Sequence, residues 1–336
     1  MQKMLSFLKN NWFIIGLLCV IVIGFNTPLI SQNLDHKGIA SNIITILIFI
    51  VIGVTLPTNS IKKELKTIKV HLYLQTFIFI IVPTYFFFTS IFFQNYSNGY
   101  LVYGILALAV LPTTVSSCVI FSQTSGGNTL VSIFNSAVSN ILGIFLSPIL
   151  LSFLLSRSSI GGGLSKGEIQ SILLGLIWKM LIPIIVGVVL QRVVGPIEKK
   201  KIKLCNIFSN ILILLVVLIS FSKVSSNSTF IEALPTMVVP FLYLALSHLI
   251  LVGLSYLGAK VLKFSKSDTI ATIFVAPQKT IALGVPMLSI YFSTNPALLG
   301  FALLPLLFYH PWQLMVAGFL RSIIAKNGDE VEFLAA

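Results

Sequence analysis

The sequence predicts an all-α polytopic membrane protein, on three observations. Of its 336 residues 56% are hydrophobic and 9% are charged, and the mean hydropathy is +1.01, a balance typical of membrane chains. About ten apolar segments approach the roughly 20 residues that a spanning helix needs. Lys and Arg are distributed very unevenly over the loops that these segments define.

The segments lie near 11–31, 40–59, 70–94, 99–122, 128–156, 169–194, 206–223, 231–262, 268–293 and 297–322. The first resembles a secretory signal but has no small-x-small cleavage site and ends in Gly24-Phe-Asn-Thr-Pro28, so it reads as a retained span with Trp12 at the interface. With ten spans and an inside N-terminus, sixteen of the 22 basic residues fall on one side, Lys62, Lys63, Lys199, Lys200 and Lys201 among them. Lys37, Arg157, Lys166 and Lys223 fall on the other, and Lys179 and Lys279 stay inside spans. This asymmetry orients both termini to the cytoplasm, as expected of a multi-pass protein of a bacterial inner membrane. It also accounts for the net charge of +13 without nucleic acid, although the basic loops can touch anionic lipid. Cys19, Cys118 and Cys205 have neither metal-ligand nor disulfide spacing, and no cofactor is expected.

The Gly/Ser-rich stretch Leu155-Ser-Arg-Ser-Ser-Ile-Gly-Gly-Gly-Leu-Ser-Lys-Gly167 lies near the middle of the chain and reads as a linker. The predicted organisation is a first five-helix repeat over 1–156, a linker over 157–168, a second repeat over 169–324 and a cytoplasmic tail over 325–336. Five spans per half force the second half to insert upside down, which makes a 5+5 inverted repeat. The fourth span of each half is interrupted alike, by Leu111-Pro-Thr-Thr-Val-Ser-Ser-Cys118 and by Val275-Ala-Pro-Gln-Lys-Thr-Ile-Ala-Leu-Gly-Val-Pro-Met287. Paired breaks of this kind point to a transport site, because unwound backbone is tolerated at membrane depth only against protein or a cavity.

All nine carboxylates fall in loops, near span ends or in the tail, which argues against a carboxylate relay or a carboxylate-rich Ca²⁺ cage. Lys279 lies about twelve residues into its span, close to the bilayer middle. Two roles are open to it there, a part in the site or a tether for unwound backbone. Lys179, beside Trp178, reads as a snorkelling residue. The first break supplies the hydroxyls of Thr113, Thr114, Ser116 and Ser117. The next span adds Ser132, Ser136, Ser139 and Asn140 on one helical face, a stripe that equally serves helix packing. Gln278 and Thr280 come from the second break, Gln75 is a further intramembrane amide, and His310 with Gln313 follows in Tyr309-His-Pro-Trp-Gln313.

These motifs, with Gly127-Asn128 after the first break, resemble the bile acid:sodium symporter superfamily over nearly the whole chain, specifically its SBF-like branch related to solute carrier family 10 member 7. The resemblance implies ten helices in a panel (spans 1, 2, 6 and 7) and a core (spans 3–5 and 8–10), with broken helices 4 and 9 crossing. It further implies that Ser117, Ser132, Ser136 and Gln278 occupy sodium-coordinating positions. Phe274 stands where the symporters have a glutamate, and Cys118 and Lys279 each stand where they have an asparagine. Losing an anion and gaining a cation at one crossing removes the electrostatic case for Na⁺ there. The leading expectation is therefore a secondary transporter of a small organic anion by alternating access. Its transport would be uncoupled or proton-linked, with the Lys279 ammonium, held by hydroxyls and half-helix ends, in place of a sodium ion. Na⁺ and H⁺ are the candidate coupling ions. Two other readings are a regulatory membrane protein of calcium homeostasis, which the resemblance suggests, and an intramembrane Ser/Lys hydrolase, for which no oxyanion-hole pattern is present. The substrate's identity and the oligomeric state are not legible.

Overall fold

The computed structural model describes residues 2–35, 38–56, 68–94, 99–157, 174–175, 177–195, 198–225, 231–232, 234–292 and 296–335. Beyond Arg157, the expected linker lies outside these residues, as does the loop with Lys62 and Lys63. All regular structure among the described residues is helical. In chain order the helices are α1 (Gln2–Asn26), α2 (Leu29–Leu34), α3 (Ile39–Thr55), α4 (Ile68–Thr76), α5 (Val82–Thr89), α6 (Tyr100–Val110), α7 (Ser116–Thr124) and α8 (Thr129–Arg157). They continue with α9 (Ile182–Val194), α10 (Lys199–Val224), α11 (Val238–Val261), α12 (Lys266–Val275), α13 (Ile281–Tyr291) and α14 (Pro296–Ala335). The last helix runs on through the expected tail.

Among the described residues, five continuous helical stretches are long and apolar enough to cross a membrane, namely Ile68–Phe93, Thr129–Arg157, Lys200–Val224, Leu234–Val261 and Leu298–Ile324. Shorter apolar helices accompany them at Trp12–Asn26, Ile39–Thr55, Leu101–Val110 and Ile281–Tyr291. Large apolar side chains such as Phe88, Phe92 and Leu242 are exposed on the outside, whereas Ser132, Asn135, Gln278 and Lys279 are buried within. That inversion suits hydrocarbon as the surrounding solvent, and the chain is an integral multi-pass membrane protein.

Prolines decide where the long stretches change register. Pro83 and Pro183 each follow a single π-helical turn, Phe77–Ile81 and Ile177–Leu181, with one residue between. A helix that meets a proline loses one N–H donor and must relieve a clash with the carbonyl four residues back. Widening to i→i+5 bonding relieves it, and Val82 accordingly bonds to Phe77 O. Next in that register stands Pro83, which has no N–H to offer Ile78 O.

The helices pack in two groups. In one, α1 and α3 pack against α10, and α3 also packs against α9. Gly53 and Gly187 let α3 and α9 touch backbone to backbone: a Cβ on Gly187 would lie 2.2 Å from Ile50 O and one on Gly53 2.3 Å from Ile184 O. In the other, α6, α7, α8, α11, α12 and α14 pack among themselves, while α13 joins α14 to α3 and α10. Outside the spans, Asp35 precedes α3 and accepts hydrogen bonds from Ser41 and Lys223. Burial pushes its carboxyl up, but these donors outweigh that and hold it below the usual carboxylate range.

Candidate functional site

The two interruptions have local causes. Pro112 cannot donate to Leu108 O, so Leu111 N takes that carbonyl at 3.3 Å and α6 stops. Leu111, as the residue before a proline, turns extended with φ −69° and ψ 148°. The chain resumes as α7 at Ser116. In the second half α12 ends at Val275, Pro277 again lacks a donor, and α13 begins after Thr280, whose hydroxyl accepts from Ala282 N at 3.2 Å as an N-cap.

The two breaks meet, and five main-chain carbonyls at the first, Ala109 to Thr113, find partners there. Pro112 O accepts from Thr280 N at 3.0 Å. Thr113 O accepts from Asn140 Nδ2 at 2.9 Å, and Val110 O from Ser147 at 2.7 Å. Gly143 makes this approach feasible, since a Cβ there would lie 2.7 Å from the Pro112 ring. The remaining two carbonyls, Ala109 O and Leu111 O, accept from Lys279 Nζ at 2.8 and 2.7 Å.

Lys279 is fully buried, and its third hydrogen bond goes to Ile78 O at 3.3 Å, the carbonyl stranded by Pro83. An ammonium has three donors and no acceptor, so three carbonyls satisfy it. It also caps the negative C-terminal end of α6. This corrects one expectation: the ammonium is held by main-chain carbonyls, not by hydroxyls. The side chains of the Tyr309–Gln313 motif complete the second break from α14. Gln313 Oε1 accepts from Lys279 N at 2.8 Å while its Nε2 donates to Lys279 O at 2.8 Å and to His310 Nδ1 at 2.9 Å. Tyr309 donates to Pro277 O at 2.9 Å, so His248 Nδ1, 2.9 Å from the same hydroxyl, carries the proton between them.

The expected site residues divide into those that reach a cavity and those that support it. A cavity of about 440 Å³ opens between the two helix groups. Thr114, Ser116, Ser117, Thr280 and His310 line it, so the N-termini of the half-helices α7 and α13 both face it. Gln278 lies behind them, accepting from Ser117 at 2.9 Å and from Thr114. Ser132 and Ser136 donate to carbonyls of their own helix or its entry, Asn128 O at 3.2 Å and Ile133 O at 3.1 Å. Gln75 stands apart, bonded to Asn135 O and Oδ1, and Asn135 in turn bonds His71 Nδ1 at 2.8 Å. The Thr113 hydroxyl is buried without a partner. Lys279 and Gln313 do not line the cavity. Phe274, at the symporter glutamate position, stacks on Phe121 at 6.0 Å in an apolar cluster.

Sequence reasoning missed Asn206, Ser209 and Asn210 of α10, which line the cavity opposite the half-helices. Their i, i+3, i+4 spacing on an apolar span was the available signal. Among the described residues lining this cavity there is no Asp, Glu, Lys or Arg. The reading of Lys179 also needs correction: Trp178 is 65% exposed, but Lys179 turns inward and donates to Asn42 Oδ1 at 3.2 Å. The π-turn, by adding a residue to its helical turn, sets which of the two faces inward.

Residues 11–326 match the SBF-like CPA transporter family. The chain belongs to that family. As an SBF-like transporter it is 29% identical over 324 residues to sodium/bile acid cotransporter 7-B of Xenopus laevis, covering 94% of this chain and 92% of that protein. With sodium/bile acid cotransporter 7 of Rattus norvegicus it shares 27% identity over 325 residues, 95% and 94% of the two chains. The putative symporter YfeH of Escherichia coli (strain K12) is 30% identical over 234 residues, 68% of this chain and 67% of that one. SBF-like relatives thus occur in animals and bacteria.

Proposed function

We propose that this SBF-like protein is a secondary transporter that moves a small organic anion by alternating access. Ten spans would form a 5+5 inverted repeat with both termini cytoplasmic. The panel would comprise α1–α3, α9 and α10 and the core the remaining helices, the cavity lying between them. The observation that carries the reading is the convergence of two half-helix N-termini on an uncharged cavity while the lysine ammonium beneath takes up the carbonyls of the crossing. Positive helix ends favour a negative substrate group. Recognition then rests on α7 and α13, with Lys279 holding the crossing together.

The Ile78, Ala109 and Leu111 carbonyls, which could otherwise hold a cation at this crossing, are occupied by the ammonium. Transport is accordingly uncoupled, or linked to H⁺ if Lys279 leaves its carbonyls and releases a proton during the cycle. The hydrolase reading loses support because the three hydrogen bonds of Lys279 Nζ go to carbonyls and none to a serine. Nothing in the geometry favours a regulatory role without transport.

Uptake of labelled carboxylates, sulfonates and phosphate monoesters into proteoliposomes tests the proposal. At least one is expected to enter above protein-free vesicles. Ser116→Leu, which fills the cavity beside α7, is expected to cut that uptake about tenfold with melting unchanged. Absence of both uptake and binding across the panel contradicts the reading.

A further inference from the structure

We infer that a second, smaller pocket around Lys179 is a binding site for a small oxyanion of the carboxylate or phosphate kind. The pocket holds about 220 Å³, the space of roughly seven waters at ~30 Å³ each. Apart from Lys179, which comes from the π-turn before α9, its walls come from helices that also bound the large cavity, at other positions along them. On α3 the nearest lining residues are Val51 of the large cavity and Thr45 of the small one, so about 9 Å of helix at 1.5 Å per residue separates them. On α10 the corresponding residues are Ile213 and Ser220, and on α13 Ala282 and Ser289.

The pocket contains positive charge that its walls do not neutralise. Lys179 and Lys223 both line it, and no carboxylate is among its described lining residues. Lys223 is paired with Asp35, at its rim. Lys179 has one hydrogen bond, to the neutral amide oxygen of Asn42, and no ion pair among the described residues. Two of its three N–H donors are thus unused, and so is the Asn42 amide nitrogen, which the bond to Oδ1 leaves facing away from the ammonium. An unpaired ammonium within a membrane span is costly, about 2.5–3.5 kcal/mol on insertion scales. Unused N–H donors, an uncompensated cation and the Thr45 hydroxyl together make an anion site, the hydroxyl protons of Ser41, Ser220 and Ser289 being already given to Asp35, Val216 O and Val285 O. The small volume admits an acid group with a short body, or the head of a longer molecule.

This site stands apart from the transport reading, and its test reads binding rather than uptake. Melting of the purified full-length protein in neutral detergent is followed against acetate, inorganic phosphate and sulfate, with chloride at matched ionic strength and pH as reference. A saturable rise with at least one oxyanion over chloride is expected. Its apparent affinity should fall at least tenfold in Lys179→Gln and persist in Lys179→Arg. If Lys179→Gln does not fold, Asn42→Leu takes its place, with a several-fold loss expected. A rise that survives these variants but disappears in Ser116→Leu belongs to the large cavity and overturns the proposal, as does the absence of any rise above chloride. Repeating the titration after added anionic lipid separates the two sources of the oxyanion: competition indicates a lipid headgroup in the same site, and an unchanged affinity a free acid.

Discussion

Replacing Lys279 by methionine is expected to lower the melting temperature of the protein by on the order of 5–10 °C and to abolish transport. Methionine keeps much of the length and apolar stem of lysine but removes all three donors. Ile78 O, Ala109 O and Leu111 O would then face an apolar side chain inside the protein. Each buried carbonyl left without a partner costs about 1–3 kcal/mol, so a loss of at least about 2 kcal/mol is expected even if one relaxes. That is a large fraction of the ~5–15 kcal/mol that typically separates folded from unfolded chains. Lys279→Arg should not restore the wild type, because a planar guanidinium presents its donors as a fork rather than a tripod. Differential scanning fluorimetry in detergent reads both, and a methionine variant melting within about 2 °C of wild type would show that the carbonyl shell is not stabilising.

Gln313→Leu comes second in expected effect. Gln313 pairs with both main-chain groups of Lys279 and so acts as one rung of a ladder for a residue with no helix or strand around it. Leucine leaves a buried N–H and a buried C=O without partners, an expected cost of about 2–6 kcal/mol by the same measure. Gln313→Glu tests the polarity of the pair. One oxygen could still accept from Lys279 N, but the other would face Lys279 O, so the loss should be at least as large as for leucine. Hydrogen exchange of the Ala276–Thr280 amides should accelerate in both variants while α3 and α9 keep wild-type protection. Equal acceleration throughout the molecule would mean global destabilisation and no local clamp.

How much of this was legible depended on whether a residue acts through its side chain or through its backbone. Pro112 and Pro277 announce their breaks because the missing N–H is a property of the residue itself. That Lys279 is enclosed at the second break was readable from its place in an apolar stretch. Its partners were not, since all three are carbonyls, which every residue carries, and one comes from a position 201 residues away. The role of Ile78 depends on a π-turn set by Pro83, a cause visible in the sequence whose register only the fold displays. Likewise Lys179 and Trp178 are adjacent, and which of them faces lipid follows from the local helical pitch. Asn206, Ser209 and Asn210 went unnoticed beside the serine stripe on α8, although their spacing carried the same kind of signal. That stripe turned out to bond mostly within its own helix.

If the Lys279 ammonium, bonded to Ile78 O, Ala109 O and Leu111 O, stands in for a bound cation at the crossing of the two broken helices, Na⁺ should not stabilise the protein. Melting of the purified wild type in NaCl, KCl and choline chloride at one pH and one ionic strength tests it without knowledge of the substrate. Coincident curves are expected. A saturable rise specific to Na⁺ that disappears in Gln278→Leu would contradict it.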